Sequence, residues 1–309
     1  MIKEPNRRDF VAGLSAAALS LSGLPAFAAG GRRMTFGFST YGMKTLKTEK
    51  AIEVLGDIGY DSVELNVWEG WDADSAVLSK GRRKDIRMAL SDRGLLLTGL
   101  MEKLKNGDKD QKKIRERLRL AAELGRDLSP NHQPVIQSTL SGKKWEDMKE
   151  VFLHQLEDWA KLAEREQTII AIKPHRGGAL SRPSEAVWLI EKLGKPKWLR
   201  MCYDYSHYDF RDMTLAGTIK TALPYTAHIA IKDAVMKDNR VRFVNPGLGG
   251  RIDYAKLISL FHAGGYRGDV CCEVSGMVWN QKGYDPVASA KQCYQSIAPA
   301  FKQAGVARG

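Results

Sequence analysis

Short apolar segments alternate with longer amphipathic segments along most of the chain. Eight segments have the length and composition of buried strands, and they span residues 34–39, 62–67, 95–101, 134–138, 168–172, 199–203, 226–231 and 269–274. Their first residues are about 27 to 43 positions apart, which fits a strand followed by a helix better than a hairpin. The pattern therefore predicts repeated strand–helix units.

The segments between these strands have helical periodicity. The clearest is 145–166, where large apolar residues such as Trp145, Phe152 and Trp159 recur at steps of three and four. Gly59, Gly94 and Gly265 each stand between a helical pattern and the next strand, the usual place of a helix C-cap.

Eight such units in one domain predict a single (β/α)8 TIM barrel. A doubly wound open sheet is the alternative. The segment after the first strand, 38–43, carries one glycine, so a dinucleotide site is not supported. Residues 235–251, rich in charge and glycine, are predicted as an enlarged loop after the seventh strand.

The N-terminus has the order of features of an export signal. Arg7 and Arg8 form a twin-arginine pair, an apolar run covers 11–24, and Ala26 and Ala28 supply a small-x-small cleavage motif. We expect a signal peptide over 1–28, a barrel domain over 29–309, export by the twin-arginine machinery and a periplasmic location. No later apolar run is long enough to span a membrane.

The formal net charge is +12, but the basic residues are spread along predicted helix faces such as 111–119. Such faces are usually solvated, so nucleic-acid binding is not expected. An acidic sugar or an anionic surface explains the charge equally well. The four cysteines have no metal-site spacing and are expected to be small buried residues, and the sequence is compatible with an oligomer without determining one.

Polar residues concentrate where predicted strands end, which is where a TIM barrel places its catalytic groups. They are Glu64, Asn66, Glu102, Lys173, His175, Arg176, Asp204, Ser206, His207, His228, Lys232, Asp233, Glu273 and Ser275. Side chains two positions apart on a strand share a face. A ring of two ammonium groups and two carboxylates around one cavity would be mutually compensating, and it would consist of Lys173, Asp204, Lys232 and Glu273. Structural ion pairs at the rim of the barrel are the alternative.

Several motifs resemble the xylose isomerase-like barrel superfamily, the sugar phosphate isomerase/epimerase group. They are YDYSHY at 203–208, IKD at 231–233, the run 245–276 and VEL at 63–65. The resemblance covers 34 to about 305 and implies a barrel that acts on a sugar or keto-sugar.

Members of this group typically hold a divalent cation with Glu, Asp, His and Glu from the last four strands. In this chain Asp204 and Glu273 match two ligands, and His207 matches a substrate-contacting histidine. Lys173 stands at the first glutamate position and Ala230 at the histidine position. The metal candidates are therefore Asp204 and Glu273 only, and a metal cofactor is not expected.

A protonated ammonium cannot be a ligand, and its charge repels a divalent cation. We therefore expect Lys173 to supply the positive charge that a metal supplies in relatives. The leading hypothesis is an isomerase or epimerase that transfers a proton at a carbon next to a carbonyl. Glu273 is the expected base, and Asp204 or His207 the second acid or base.

Lys173 and Lys232 would stabilise the oxyanion, while His175 and Arg176 orient hydroxyl or carboxylate groups of a small sugar or sugar acid. The remaining predicted substrate-binding residues are His228 and Glu64.

Other functions stay open at this point. A lyase, dehydratase or aldolase could use Lys173 as a Schiff base. A sugar-binding barrel without activity would carry the same residues as structural ion pairs. A metal-dependent abasic-site nuclease is disfavoured, because the chain has six histidines and two of them, His154 and His262, fall on predicted helices.

Overall fold

A computed structural model describes residues 33–104 and 111–309. Eight parallel strands form a closed barrel in which each strand pairs with the next and the last returns to β1. They are β1 Thr35–Ser39, β2 Ser62–Asn66, β3 Leu96–Met101, β4 Val135–Thr139, β5 Ile170–Lys173, β6 Leu199–Tyr203, β7 Thr226–Ile231 and β10 Asp269–Cys272. Each of the eight predicted strands is present, and the predicted (β/α)8 barrel is confirmed.

Helices surround the barrel and follow the strands in turn. They are α1 Thr48–Ile58, α2 Lys80–Asp92, α3 Gln111–Leu128, α4 Trp145–Arg165, α5 Pro183–Lys192, α6 Leu215–Ala222, α7 Tyr254–Ala263, the short α8 Gly276–Trp279 and α9 Pro286–Gln303. Gly59 ends α1 with φ 101°, and Gly94 and Gly265 follow α2 and α7 with φ 62° and 89°. These left-handed conformations favour glycine, as the predicted C-caps require.

The core lies mainly between the barrel and its helices. Phe36 and Phe38 of β1 point outward and pack with Tyr60, at 5.0 and 5.5 Å between ring centroids. One part of the barrel interior instead holds small side chains, where Ala171, Cys202 and Ala230 form a buried cluster of their own. Small residues on β5, β6 and β7 leave room for the polar groups that follow at the ends of these strands.

The floor of the barrel, at the N-terminal ends of the strands, is closed by a buried carboxylate. Asp269 of β10 accepts hydrogen bonds from the hydroxyls of Thr35, Ser62 and Thr98, at 2.7, 2.5 and 2.9 Å. A side chain at Gly37 would come within 2.6 Å of the Ser62 hydroxyl, so only glycine fits there. These hydrogen bonds connect β1, β2, β3 and β10 at the end of the barrel opposite the polar cluster described below.

The segment predicted as an enlarged loop after β7 is partly regular structure. Strands β8 Asp233–Lys237 and β9 Arg240–Val244 form an antiparallel hairpin. The turn residues Asp238 and Asn239 have φ of 49° and 53°, the left-handed pair that a two-residue hairpin turn uses. The loop prediction was therefore wrong for this half of the segment, because the Asp-Asn turn signal was overlooked.

The predicted export signal over 1–28 lies outside the described residues. Within the parts of the chain that the structure describes, none of the helices combines the length and hydrophobicity that crossing a bilayer requires.

Candidate functional site

Four ionisable side chains meet at the C-terminal mouth of the barrel. Each belongs to the end of a different strand: Lys173 ends β5, Asp204 follows β6, Lys232 follows β7 and Glu273 follows β10. We call these four residues the lysine–carboxylate cluster. Parallel strands place their carboxyl ends at one end of the barrel, which is why residues 100 positions apart in the chain can touch.

Each lysine of the cluster bridges both carboxylates. The Nζ atom of Lys173 lies 2.9 Å from Oδ2 of Asp204 and 2.6 Å from Oε2 of Glu273. The Nζ atom of Lys232 lies 2.5 Å from Oδ2 of Asp204 and 2.8 Å from Oε1 of Glu273. Two positive and two negative charges therefore compensate one another, as burial of ionised groups demands.

Burial and mutual attraction act in opposite directions on these groups. Burial opposes the charged form of Lys173, but Asp204 and Glu273 outweigh it and hold its pKa well above the usual value. Burial likewise disfavours ionised Glu273, yet Lys173 and Lys232 lower the pKa of Glu273 to about 2. The pKa of Asp204 is also lowered, because the same two lysines outweigh its burial. All three groups are thus charged at neutral pH.

Local backbone structure fixes the position of Asp204. It begins a one-turn 3-10 helix, Tyr205–His207, and its Oδ1 accepts hydrogen bonds from the amide of Ser206 at 3.1 Å and the hydroxyl of Ser206 at 2.6 Å. Its Oδ2 is then left to face both lysines. Ser206 therefore positions the carboxylate of Asp204. Alternation along the strand could not distinguish this role from a direct contact between Ser206 and a bound molecule.

A pair of neutral histidines borders the cluster. Nε2 of His207 is 3.4 Å from Oδ2 of Asp204, and Nδ1 of His207 accepts the backbone N–H of Arg176 at 3.1 Å. The ring of His175 stacks on His207 with centroids 4.0 Å apart. Burial, followed by the charges of Lys232 and Lys173, lowers the pKa of His175 to about 4. Burial also lowers the pKa of His207, so both rings are neutral near pH 7.

The guanidinium of Arg176 points along the rim, away from the cluster. It donates to the backbone carbonyl of Asp209, whose carboxylate pairs with Arg251 at 3.2 Å. Arg176 thus contacts the site through its backbone N–H, which holds the His207 ring.

The β8–β9 hairpin covers the cluster. The ring of Phe243, from β9, lies 5.0 Å from the His207 ring and 5.2 Å from Nζ of Lys232. Lys173 and Lys232 are each 2% exposed, and Glu273 is 6% exposed. In the described conformation the cluster therefore has little contact with solvent. Phe243 was not predicted from the sequence, because its role depends on the overlooked hairpin.

Glu64 and His228 lie together inside the barrel, in what we call the inner pair. Oε2 of Glu64 is 3.2 Å from Nε2 of His228 and accepts a hydrogen bond from Gln137 at 3.1 Å. Burial opposes a charge on His228, but Glu64 outweighs it and raises the pKa of His228. A side chain at Gly99 would come within 3.0 Å of Glu64, so the pair fills its space.

Cys271 lies beside the inner pair, and the possible ligand atoms of these three residues fall within 4.8 Å of one another. Burial raises the pKa of the Cys271 thiol well above its usual value, so the thiol stays protonated. The group is a buried contact between a carboxylate and a histidine next to a protonated thiol, and all four cysteines are free.

The side chains at the mouth do not fit the divalent cation that the resemblance implies. Lys173 occupies the first glutamate position, and its ammonium stands between the two carboxylates that would be ligands. Ala230, at the histidine position, packs its methyl group against Ala171 and Cys202 and offers no donor. Two carboxylates already neutralised by two ammonium groups are a poor cation site.

Glu102, another polar residue at a strand end, does not join the cluster. Its Oε2 pairs with Arg117 of α3 at 2.5 Å, and Arg117 also reaches Asp74 at 2.6 Å. This group is a structural tie between α3 and the loop after β2.

Sequence reasoning overlooked a group of aromatic residues at the mouth, which we call the aromatic wall. It consists of Tyr41, Trp68, Trp71 and Trp279. Each lies within a few residues of a strand end, and that position is the signal that could have identified them.

Comparisons with known proteins agree with this architecture. The chain is 26% identical over 152 residues to the Mus musculus protein named "Putative hydroxypyruvate isomerase". The match covers 45% of this chain and 52% of that protein, so the chain spans about half the length of the curated relatives it matches.

Solved structures share the fold at low identity. A 3-keto-D-glucoside 4-epimerase from E. coli superposes with a TM-score of 0.66 at 15% identity, covering 86% of this chain and 100% of the other. An L-ribulose 3-epimerase gives a TM-score of 0.68 at 16% identity, covering 88% and 96%. The sequence model of the family described as xylose isomerase-like TIM barrel matches residues 52–297. This chain therefore belongs to the xylose isomerase-like TIM barrel family.

Proposed function

We propose that the protein is an enzyme that isomerises or epimerises a sugar or keto-sugar by moving a proton at a carbon next to a carbonyl. The observation that carries the proposal is the lysine–carboxylate cluster, in which two ammonium groups lie between two carboxylates at the mouth of the barrel. Family membership and the isomerase and epimerase names among the similar proteins support the same reaction class.

The reaction needs a base for the carbon-bound proton and positive charge for the oxygen. Glu273 takes the proton, the electrons of the broken C–H bond form a C=C bond, and the carbonyl oxygen becomes an oxyanion. Lys173 and Lys232 donate hydrogen bonds to that oxygen as its charge develops. No step requires a metal ion, since the ammonium groups supply the positive charge.

A carboxylate with a pKa of about 2 is a weak base, so binding of substrate must strengthen it. A carbonyl oxygen that accepts hydrogen bonds from Lys173 and Lys232 draws these ammonium groups away from Glu273. The pKa of Glu273 then rises while the neighbouring C–H becomes more acidic. Substrate binding thus brings the pKa of Glu273 and the pKa of the substrate C–H closer together, which favours proton transfer.

The proton is returned by the same or a second group. Asp204 and His207 are the candidates, since Nε2 of His207 lies 3.4 Å from Asp204. Return to the opposite face of the same carbon gives an epimer. Return to the former carbonyl carbon gives an isomer, and the hydroxyl on the first carbon then passes its proton to the oxyanion, so that the carbonyl group changes place. His175 lies beside His207 and is suited to hold a substrate hydroxyl.

A Schiff-base reaction at Lys173 is less well supported. It requires an unprotonated amine, whereas Asp204 and Glu273 raise the pKa of Lys173 well above its usual value. The cluster therefore favours lysine as a cation over lysine as a nucleophile.

We also propose export of the folded protein by the twin-arginine route, on the basis of Arg7, Arg8 and the apolar run after them. Phosphorylated sugars are mainly intracellular, so export favours a free keto-sugar or sugar acid as substrate. Fractionation of cells that express the full chain, compared with an Arg7→Lys, Arg8→Lys variant, tests this location.

The reaction is tested by proton exchange with solvent. The purified protein is incubated in D2O with a panel of keto-sugars, aldoses and hydroxypyruvate, and deuterium incorporation is followed by NMR. We expect incorporation at the carbon next to the carbonyl of at least one compound, and loss of that incorporation in Glu273→Gln.

Lys220→Met, on the exposed face of α6, is the control and should exchange at the unaltered rate. Exchange that persists in Glu273→Gln would exclude Glu273 as the base. Tight sugar binding with no exchange by the unaltered protein would instead favour a binding protein.

A further inference from the structure

The aromatic wall stands on one side of the barrel mouth. Tyr41 is at its centre, with ring centroids 5.1 Å from Trp68, 5.6 Å from Trp71 and 5.3 Å from Trp279. Trp71 also contacts Trp68 and Trp279, each at 5.8 Å. The four rings come from the loops that follow β1, β2 and β10, three neighbouring strands of the barrel.

The wall begins beside the lysine–carboxylate cluster. A side chain at Gly276, three residues after Glu273, would come within 3.2 Å of the Tyr41 hydroxyl, so this hydroxyl lies against the segment that follows Glu273. Burial, and then the charge of Glu273, raises the pKa of Tyr41 to about 12. Trp279 ends the short α8, which starts three residues after Glu273. A molecule bound at Glu273 therefore has the wall as its immediate neighbour.

Position and exposure set this group apart from the buried core. All four rings stay partly exposed, whereas Trp159 of α4 is fully buried. The four rings also lie on segments that follow strand ends at the mouth of the barrel, as Glu273 does.

Two exposed lysines lie beside the aromatic wall. Nζ of Lys44 lies 5.4 Å from the Trp71 ring and 5.2 Å from the Trp279 ring, and Nζ of Lys103 lies 5.1 Å from the Trp68 ring. These ammonium groups are mobile donors at the edge of an aromatic surface. Aromatic rings accept the C–H faces of a pyranose, and lysines bind its hydroxyl oxygens.

From this arrangement we propose that the substrate is a glycoside, with the reacting keto-sugar at the lysine–carboxylate cluster and a second pyranose ring on the aromatic wall. On the opposite side of the mouth, His175 and Phe243 pack against His207, and Arg176 donates to the carbonyl of Asp209. The second ring therefore projects toward the loops after β1, β2 and β10. This inference rests on the proposed sugar-converting function and adds the class of sugar.

Binding measurements test the inference without requiring turnover. Calorimetry compares glucose with glucose disaccharides of different linkages, using the full protein. We expect at least one disaccharide to bind more tightly than glucose, and Trp279→Ala to reduce that preference by about three- to tenfold.

Trp188→Ala is the matched control. Trp188 packs edge-on against Trp145 at 5.6 Å and has Lys149 and Lys192 over its ring, but it lies on α5, remote from the mouth. It should leave the preference for two rings unchanged. Lys44→Ala removes an exposed side chain without disturbing the wall, and it should reduce the preference by a smaller factor, so the test does not depend on the folding of Trp279→Ala.

Equal affinity for glucose and every disaccharide would overturn the inference. It would also be overturned if Trp279→Ala lowered the affinity for glucose and the affinity for the disaccharide by the same factor. The two proposals can fail independently. Deuterium exchange into single-ring sugars without a preference for disaccharides would support the proposed reaction and exclude the wall as a binding site for a second ring. A preference for disaccharides without any exchange would support that binding site and exclude the proposed reaction.

Discussion

Lys173 and Glu273 form an ion pair across the mouth of the barrel, with Nζ 2.6 Å from Oε2. β5 and β10 are not neighbours, because β6 and β7 stand between them in the barrel. The pair therefore spans the opening rather than lying along one seam. A second pair of the same kind, Lys232 and Asp204 at 2.5 Å, lies beside it.

Removing both partners of the Lys173–Glu273 pair should cost less than the sum of the two single losses. Lys173→Met leaves two buried carboxylates with one ammonium, and we expect the free energy of unfolding to fall by roughly 3–5 kcal/mol. In Lys173→Met, Glu273→Gln the loss should be smaller than the sum of the single losses by about 1–3 kcal/mol. Urea unfolding of the four proteins of the cycle measures this coupling, and strictly additive losses would show that the two side chains do not depend on each other.

Metal dependence should follow the residue at position 173. Lys173 places an ammonium where a carboxylate ligand would stand, so we expect the unaltered protein to keep its exchange activity in EDTA and to show no rise in melting temperature with Mn²⁺. Lys173→Glu removes that charge and supplies a third carboxylate, and its melting temperature should rise with Mn²⁺. Stoichiometric divalent metal in unaltered protein purified without chelator would contradict this account.

The neutral state of His175 predicts how stability depends on pH. Its pKa is lowered from 6.5 to about 4 in the folded protein, so the unfolded chain takes up the proton first as the pH falls. The contribution of His175 to stability is therefore complete above pH 6.5 and is lost as the pH falls toward 4. Its size is at most about 3 kcal/mol, because part of the side chain meets solvent.

His175→Gln should flatten the decrease in unfolding free energy between pH 6.5 and 4, measured by urea titrations at several pH values. His154→Gln is the control, since His154 is exposed on α4. The same slope in both variants would mean that His175 is not held neutral by the fold.

The barrel could be predicted from the sequence because each strand and helix carries a local signal. The apolar run that ends at Lys173 and the helical steps from Trp145 onward are readable without any knowledge of tertiary contacts. Alternation along strands also brought Lys173 and Asp204 into one predicted ring, since strand ends in a barrel converge by geometry.

The orientation of side chains within the site could not be predicted in this way. Arg176 follows the same strand as His175, yet its guanidinium turns to the carbonyl of Asp209. Phe243 covers Lys232 because a hairpin folds back over the mouth, and that position depends on contacts far apart in the chain. Rotamers and long-range packing are set by the assembled core, which local periodicity does not encode.

The loop that carries Trp68 and Trp71 depends on one arginine of α3. Arg117 donates to the carbonyl of Val67 at 2.5 Å and pairs with Asp74 at 2.6 Å, so it holds both ends of this loop. It also compensates Glu102, which is 2% exposed. Arg117→Met would leave the buried carboxylates of Glu102 and Asp74 without their cation, and we expect the free energy of unfolding to fall by roughly 3–5 kcal/mol.

Arg119, two positions further along α3, provides a matched control. It pairs with Glu116 at 2.8 Å and Glu123 at 3.1 Å on the solvent face, with 44% of its side chain exposed. Exposed pairs contribute little, so Arg119→Met should cost less than about 1 kcal/mol. Because Arg117 also fixes the loop, Arg117→Met should increase quenching of tryptophan fluorescence by acrylamide under native conditions, and Arg119→Met should not. Equal losses of unfolding free energy in the two variants would show that the buried contacts of Arg117 do not stabilise the loop.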